Sequence, residues 1–112
     1  MSEAVRICSA YEVPIEGAKL VSFQGREIAL INHQQKFYAV ENHCPHMGGP
    51  LGLGRIKNGI ITCPWHRFRF HLQTGRSVTN PAMSARMYPV AIEDRNLVLT
   101  IDLTPGQSRN HG

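Results

Sequence analysis

Apolar residues along the chain come in short runs rich in β-branched and aromatic types, separated by Gly, Pro, Asn and Gln, and no stretch keeps a helical apolar period for three turns. The pattern predicts an all-β chain. Strands are expected over residues 5–8, 19–23, 27–31, 36–40, 60–63, 67–72, 86–89, 91–93 and 97–101. Between them, "QG" at 24–25, "NHQQ" at 32–35, "NG" at 58–59, "TG" at 74–75 and "EDRN" at 93–96 have the residue types that reverse a chain.

One segment breaks the rhythm. "HCPHMGGPLGLG", residues 43–54, carries four glycines and two prolines, too many for a strand or a helix, and reads as a long structured loop. The end, "TPGQSRNHG" at 104–112, reads as a flexible tail.

A chain of 112 residues is the length of a single domain. The first residues show no apolar run of signal-peptide length, and nothing approaches a membrane span, so a cytoplasmic protein is expected. Three cysteines are too few and too odd in number for a disulfide framework, and point to metal binding or free thiols. Residues 42–92 hold six basic side chains (Arg55, Lys57, Arg67, Arg69, Arg76, Arg86) and no acidic one, whereas the remainder holds six basic and eight acidic. With no recognition helix, stacking platform or known motif, this positive middle does not read as a nucleic-acid site. It suits reversible docking on an acidic protein surface.

The chemistry lies in two boxes. Cys44 and His46 sit in the glycine-rich loop, Cys63 and His66 follow after sixteen intervening residues, and a proline stands directly after each cysteine. The pattern C-x-H-x16-C-x2-H pairs a thiolate with an imidazole twice, and both are good ligands for iron or zinc. Four such ligands could hold tetrahedral zinc and make this a zinc-stabilised interaction module. Shared as two cysteines on one iron and two histidines on the other, they would instead hold an asymmetric [2Fe–2S] cluster.

"CPHMGG" and "CPWHRF" resemble the boxes of the Rieske iron–sulfur proteins, and the similarity runs from about Lys36 to Val90 through "FYAVENHCPHMGGPL", "ITCPWHRFRFHLQTG" and "YPV". The resemblance implies small stacked antiparallel sheets with a two-loop cluster-binding subdomain at about 42–80. It implies that Cys44 and Cys63 bind an inner iron, and His46 and His66 an outer iron near solvent. A third loop covering the cluster falls on "TNPAM", residues 79–83.

Departures from the family narrow the type. Members in respiratory and photosynthetic complexes carry a disulfide between the loops, at positions matching Gly49 and Trp65. High-potential members place serine and tyrosine hydroxyls where Phe68 and Phe70 stand, so a low potential is expected. Arg67 occupies a position where many relatives have glycine. The resemblance implies a Rieske-type ferredoxin, not itself an enzyme, carrying one electron from a flavin reductase to a terminal ring-hydroxylating oxygenase. The small subunit of an assimilatory nitrite reductase shares the same domain and is the closest alternative. The glycines at 48, 49, 52 and 54 are expected to bring backbone amides close to the cluster. His33 and His71 are read as having no role in the site, His43 as packing beside a ligand, and Cys8 as a small buried residue.

Overall fold

The computed structural model describes residues 2–45, 48–65, 67–80 and 82–102. His46, His66, Pro81 of the third loop and the tail at 104–112 lie outside them.

Among the described residues, ten strands form three antiparallel sheets: β1 (Ser2–Ser9), β2 (Gly17–Phe23), β3 (Arg26–His33), β4 (Lys36–Glu41), β5 (Arg55–Lys57), β6 (Ile60–Thr62), β7 (Arg69–His71), β8 (Met87–Tyr88), β9 (Val90–Glu93) and β10 (Asn96–Asp102). The sheet orders are β1-β10-β9, β2-β3-β4-β8 and β5-β6-β7. Strand β3 explains the stacking. Its run Ile28, Ala29, Leu30, Ile31 is buried throughout, yet successive side chains of a strand point to opposite faces. Ile28 and Leu30 join one core with Ala39, Tyr88, Leu97, Leu99 and Ile101. Ala29 and Ile31 join a second core with Val40, Leu51, Ile61, Phe70, Leu72 and both Cys44 and Cys63. The β2-β3-β4-β8 sheet is therefore the middle layer, with the β1-β10-β9 sheet packed on one side and the loops bearing Cys44 and Cys63 on the other.

All nine expected strands are present, with ends moved by a few residues. Two differences concern the site. Strand β5 was not expected, because it has one inward residue, Ile56, between the exposed Arg55 and Lys57. Arg67 and Phe68, expected in a strand, lie before β7, and Arg67 has φ 57°, which no strand residue adopts.

Four turns join neighbouring strands through two residues that both have positive φ, the geometry whose twist matches a hairpin: Gln24–Gly25, Gln34–Gln35, Asn58–Gly59 and Asp94–Arg95. Glycine relieves this conformation in the first and third. The second holds Gln35 at φ 67°, where a side chain crowds the backbone. Replacing Gln35 by glycine is expected to raise stability by about 0.5–1 kcal/mol, the left-handed relief less the entropy glycine loses on folding. Urea unfolding at constant slope checks this, and an unchanged or lower midpoint would refute it.

Candidate metal centre

The first box is closed by Asn42, which is buried directly after β4. Its backbone N–H donates to the Glu27 carbonyl (2.9 Å), and its own carbonyl accepts from Leu51 N–H (3.2 Å). Its side-chain Oδ1 accepts from Gly52 N–H at 2.7 Å, and Nδ2 donates to Glu27 Oε1 at 3.3 Å. One side chain thus joins the two ends of the glycine-rich loop. Within the loop, Cys44 N–H donates to the Gly49 carbonyl (2.8 Å) and Gly48 N–H to the Cys44 carbonyl (2.7 Å), which folds the chain back on Cys44.

The second box is closed in the same way. Cys63 N–H donates to the Phe68 carbonyl at 2.7 Å, and the left-handed Arg67 makes the return possible. The third loop is held by Ser77, whose Oγ accepts from Thr79 N–H (3.3 Å) and Asn80 N–H (3.1 Å).

These closures bring the two cysteines together. Both are buried in the same core, and Cys44 is close enough to act on the Cys63 thiol. Burial pushes the Cys63 thiol up, and the neighbouring Cys44 adds to the rise. The Trp65 N–H, 3.4 Å from Cys63 Sγ, pulls the other way by favouring the thiolate. A buried thiol that resists ionisation on its own, as Cys63 does, gives up its proton to a bound cation, which takes it as a thiolate.

The two loops approach closely at Gly49. A Cβ on Gly49 would stand 2.8 Å from Cys63 Sγ and 3.0 Å from Trp65 Cγ and Cδ2. The positions matching the family's disulfide therefore do face each other, with the indole against the glycine. The other loop glycines serve different ends. Gly48 has φ 77° and open surroundings, Gly52 packs under Leu20, Ala29 and Asn42, and a Cβ on Gly54 would come 2.2 Å from the Thr62 carbonyl. Of the four, Gly49 is the one whose added Cβ would have a cysteine sulfur among its nearest neighbours.

The remaining candidates sort clearly. Phe70 is buried in the core with the cysteines, and Phe68 packs against it. His71 is exposed. His43 is exposed between two carboxylates, Nδ1 3.5 Å from Glu41 Oε2 and Nε2 3.9 Å from Glu27 Oε1. Cys8 is half-buried against the other core. His33 and Asn42 are the polar residues that sequence reasoning did not connect to the site. The signal for Asn42 was its place directly before the first box; His33 had none, since its partners are remote in the chain.

The surface near the second box carries exposed apolar and basic side chains. Leu53 is 71% exposed and Trp65 50% exposed, high values for residues of this size. A groove of about 770 Å³ next to Cys63 is lined by Leu53, Pro64, Arg55, Arg67 and Glu16. All six basic residues of the middle segment are exposed. Among the described residues, no helix is long and apolar enough to cross a membrane.

Comparison with known proteins agrees with this geometry. The family profile described as Rieske [2Fe-2S] domain matches residues 3–99. The ferredoxin component of the naphthalene 1,2-dioxygenase system of Pseudomonas putida is 34% identical over 103 residues, covering 91% of this chain and 94% of that protein. Among solved structures, the ferredoxin in a complex of reduced oxygenase and oxidised ferredoxin of carbazole 1,9a-dioxygenase superposes with a TM-score of 0.76 at 22% identity, over 86% of this chain and 91% of that one. A protein of Mycobacterium tuberculosis described as an NADH-dependent nitrite reductase small subunit gives 0.83 at 17% identity, over 93% and 99% of the chains. Both structural likenesses show the fold alone. Matched over nearly its whole described length, and with Cys44 and Cys63 brought together by two loops, the chain belongs to the Rieske [2Fe-2S] domain family as a Rieske-type ferredoxin domain.

Proposed function

We propose that the chain is a soluble, cytoplasmic one-electron carrier that takes an electron from a flavin-containing ferredoxin reductase and delivers it to a terminal ring-hydroxylating oxygenase. The observation that carries this reading is the pair of buried thiols, Cys44 and Cys63, in a chain matched along 91% of its length by a dioxygenase ferredoxin component. Cys44 and Cys63 hold the inner iron, and His46 and His66 the outer one, in a single domain whose cluster-binding part spans about 42–80. Bound there, a [2Fe-2S] cluster supplies one-electron redox chemistry at a potential set by its ligands' charge and hydrogen bonds.

The chain's own residues set the surroundings. The Trp65 N–H gives Cys63 a donor, and the buried core keeps water from the cysteine side. Phe68 and Phe70 supply no hydroxyl to cluster sulfur. The midpoint potential is accordingly expected at the low end of the Rieske range, about −150 mV. A redox titration giving a clearly positive value would overturn that.

Docking is assigned to the face bearing Leu53 and Trp65, with Arg55, Arg67 and Arg69 as its basic rim. Exposed aromatic and apolar residues anchor such contacts, and the charges steer encounter. The double variant Arg55→Glu/Arg67→Glu is expected to slow reduction by the flavin reductase about tenfold at low salt, and less as salt screens the field. Equal rates for variant and wild type at low salt would remove the rim from the mechanism.

The reading as a whole is tested on the freshly purified protein by visible and reduced-state EPR spectra with iron and acid-labile sulfide determinations. Equimolar iron and sulfide with a low average g are expected. Stoichiometric zinc in a colourless protein, or permanent co-purification with a sirohaem enzyme, would overturn the carrier.

A further inference from the structure

A histidine at the end of a β-strand is normally solvated, yet His33, the last residue of β3, is only 4% exposed. Its imidazole stands where three segments remote in sequence meet. Nδ1 lies 2.6 Å from Glu16 Oε1 in the loop before β2. The other oxygen of that carboxylate accepts from Gln34 N–H at 2.7 Å. Nε2 accepts from Gly59 N–H at 2.9 Å, in the turn between β5 and β6. A backbone N–H only donates, so Nε2 carries a lone pair and the ring proton sits on Nδ1, donated to Glu16. The carboxylate thus fixes both the tautomer and the plane of the ring. The Gln34 N–H, and after it His33, hold the Glu16 carboxyl below its usual range, so it is ionised at neutral pH and ready to accept.

Gly59 belongs to the sheet that carries the second box. Its carbonyl accepts from Leu72 N–H at 2.9 Å, and Leu72 is buried in the core with both cysteines. From Gly59 the chain runs through the three residues of β6 directly into Cys63. The His33–Gly59 bond therefore ties the middle layer to the end of a short, stiff strand whose other end is a proposed ligand.

We propose that His33 is a positioning residue: oriented by Glu16 at Nδ1 and accepting from Gly59 at Nε2, it pins the Asn58–Gly59 turn to the middle sheet and so keeps Cys63 in register with Cys44. Its consequence for the cluster rests on the ligand reading above; its consequence for the turn does not.

Two substitutions separate the two ring nitrogens. In His33→Gln the amide oxygen reaches the place of Nε2 and keeps an acceptor for Gly59. In His33→Asn the amide reaches only the place of Nδ1 and keeps the contact with Glu16. Three readouts are taken on the oxidised holoprotein: hydrogen exchange of the peptide spanning residues 58–62, the rate of iron loss to a chelator, and the imidazole 15N shifts of wild type. His33→Gln is expected within about twofold of wild type, and His33→Asn to exchange about tenfold faster, one hydrogen bond's worth, with iron loss rising in parallel. The wild-type spectrum is expected to show the proton on Nδ1.

Equal behaviour of the two variants, or a proton on Nε2, would overturn the proposal. Faster exchange in His33→Asn with unchanged iron loss would overturn the link to Cys63. A wild-type protein without iron would defeat the cluster reading, while the exchange measurement would still decide whether His33 pins the turn.

Discussion

Cys63→Ser is expected to yield a folded, colourless protein holding less than about a tenth of the wild-type iron. The hydroxyl of serine ionises far less readily than a thiol and is a poor ligand for iron, and neighbouring ligands do not compensate for it. Folding survives because the chain has a second, separate core of Ile28, Leu30, Tyr88, Leu97, Leu99 and Ile101 that contains neither box cysteine. Stability nevertheless falls, since a buried hydroxyl loses the surrounding water without gaining a strong partner, at about 1–3 kcal/mol. Cys8→Ser is the control. Cys8 packs against that other core, where burial, and the nearby Glu12 carboxylate after it, raise its thiol while Lys19 acts in the opposite sense. That variant keeps full colour. Equimolar iron and sulfide in Cys63→Ser at wild-type level would show that Cys63 is not a ligand.

Much of this was legible in the sequence because the signals are local. The run Ile28 to Ile31 announces a strand, and "NG" at 58–59 announces the turn that the structure contains. The pairing of Gly49 with Trp65 was legible by resemblance, and the charge asymmetry appears unchanged as a set of exposed cations. What stayed hidden depends on partners far along the chain. His33 meets Glu16 and Gly59, 17 and 26 positions away, and Asn42 meets Gly52 and Glu27, 10 and 15 away. No periodicity encodes such pairs. Strand β5 was missed because its single inward residue, Ile56, leaves no alternation to read. Arg67 was misplaced because its left-handed φ of 57° is imposed by the bond from Cys63 to Phe68, and arginine does not advertise it. The same φ gives a physical reason for a glycine at that position.

The contrast between two adjacent glycines gives the last prediction. Gly49→Ala is expected to lower cluster content at least about threefold, and Gly48→Ala to leave it near wild type. At Gly49 the new methyl would meet Cys63 Sγ at 2.8 Å and the indole at 3.0 Å. Trp65 is half exposed and its ring has room to swing away, but the sulfur does not. Cys63 is fixed by its N–H on the Phe68 carbonyl, and Gly49 by its carbonyl on the Cys44 N–H. The methyl therefore acts as a wedge between the two boxes, and overpacking of this kind typically costs about 1–3 kcal/mol. At Gly48 nothing stands within 4 Å of the added Cβ, so alanine there bears only the strain of φ 77°, about 1–2 kcal/mol. The two variants lose comparable stability for different reasons, and cluster content separates them. Iron and sulfide per chain, measured beside urea unfolding, decide the matter. Full loading of Gly49→Ala would mean that the loops tolerate separation, and equal loss in both variants would show that contact with Cys63 Sγ is not what limits loading.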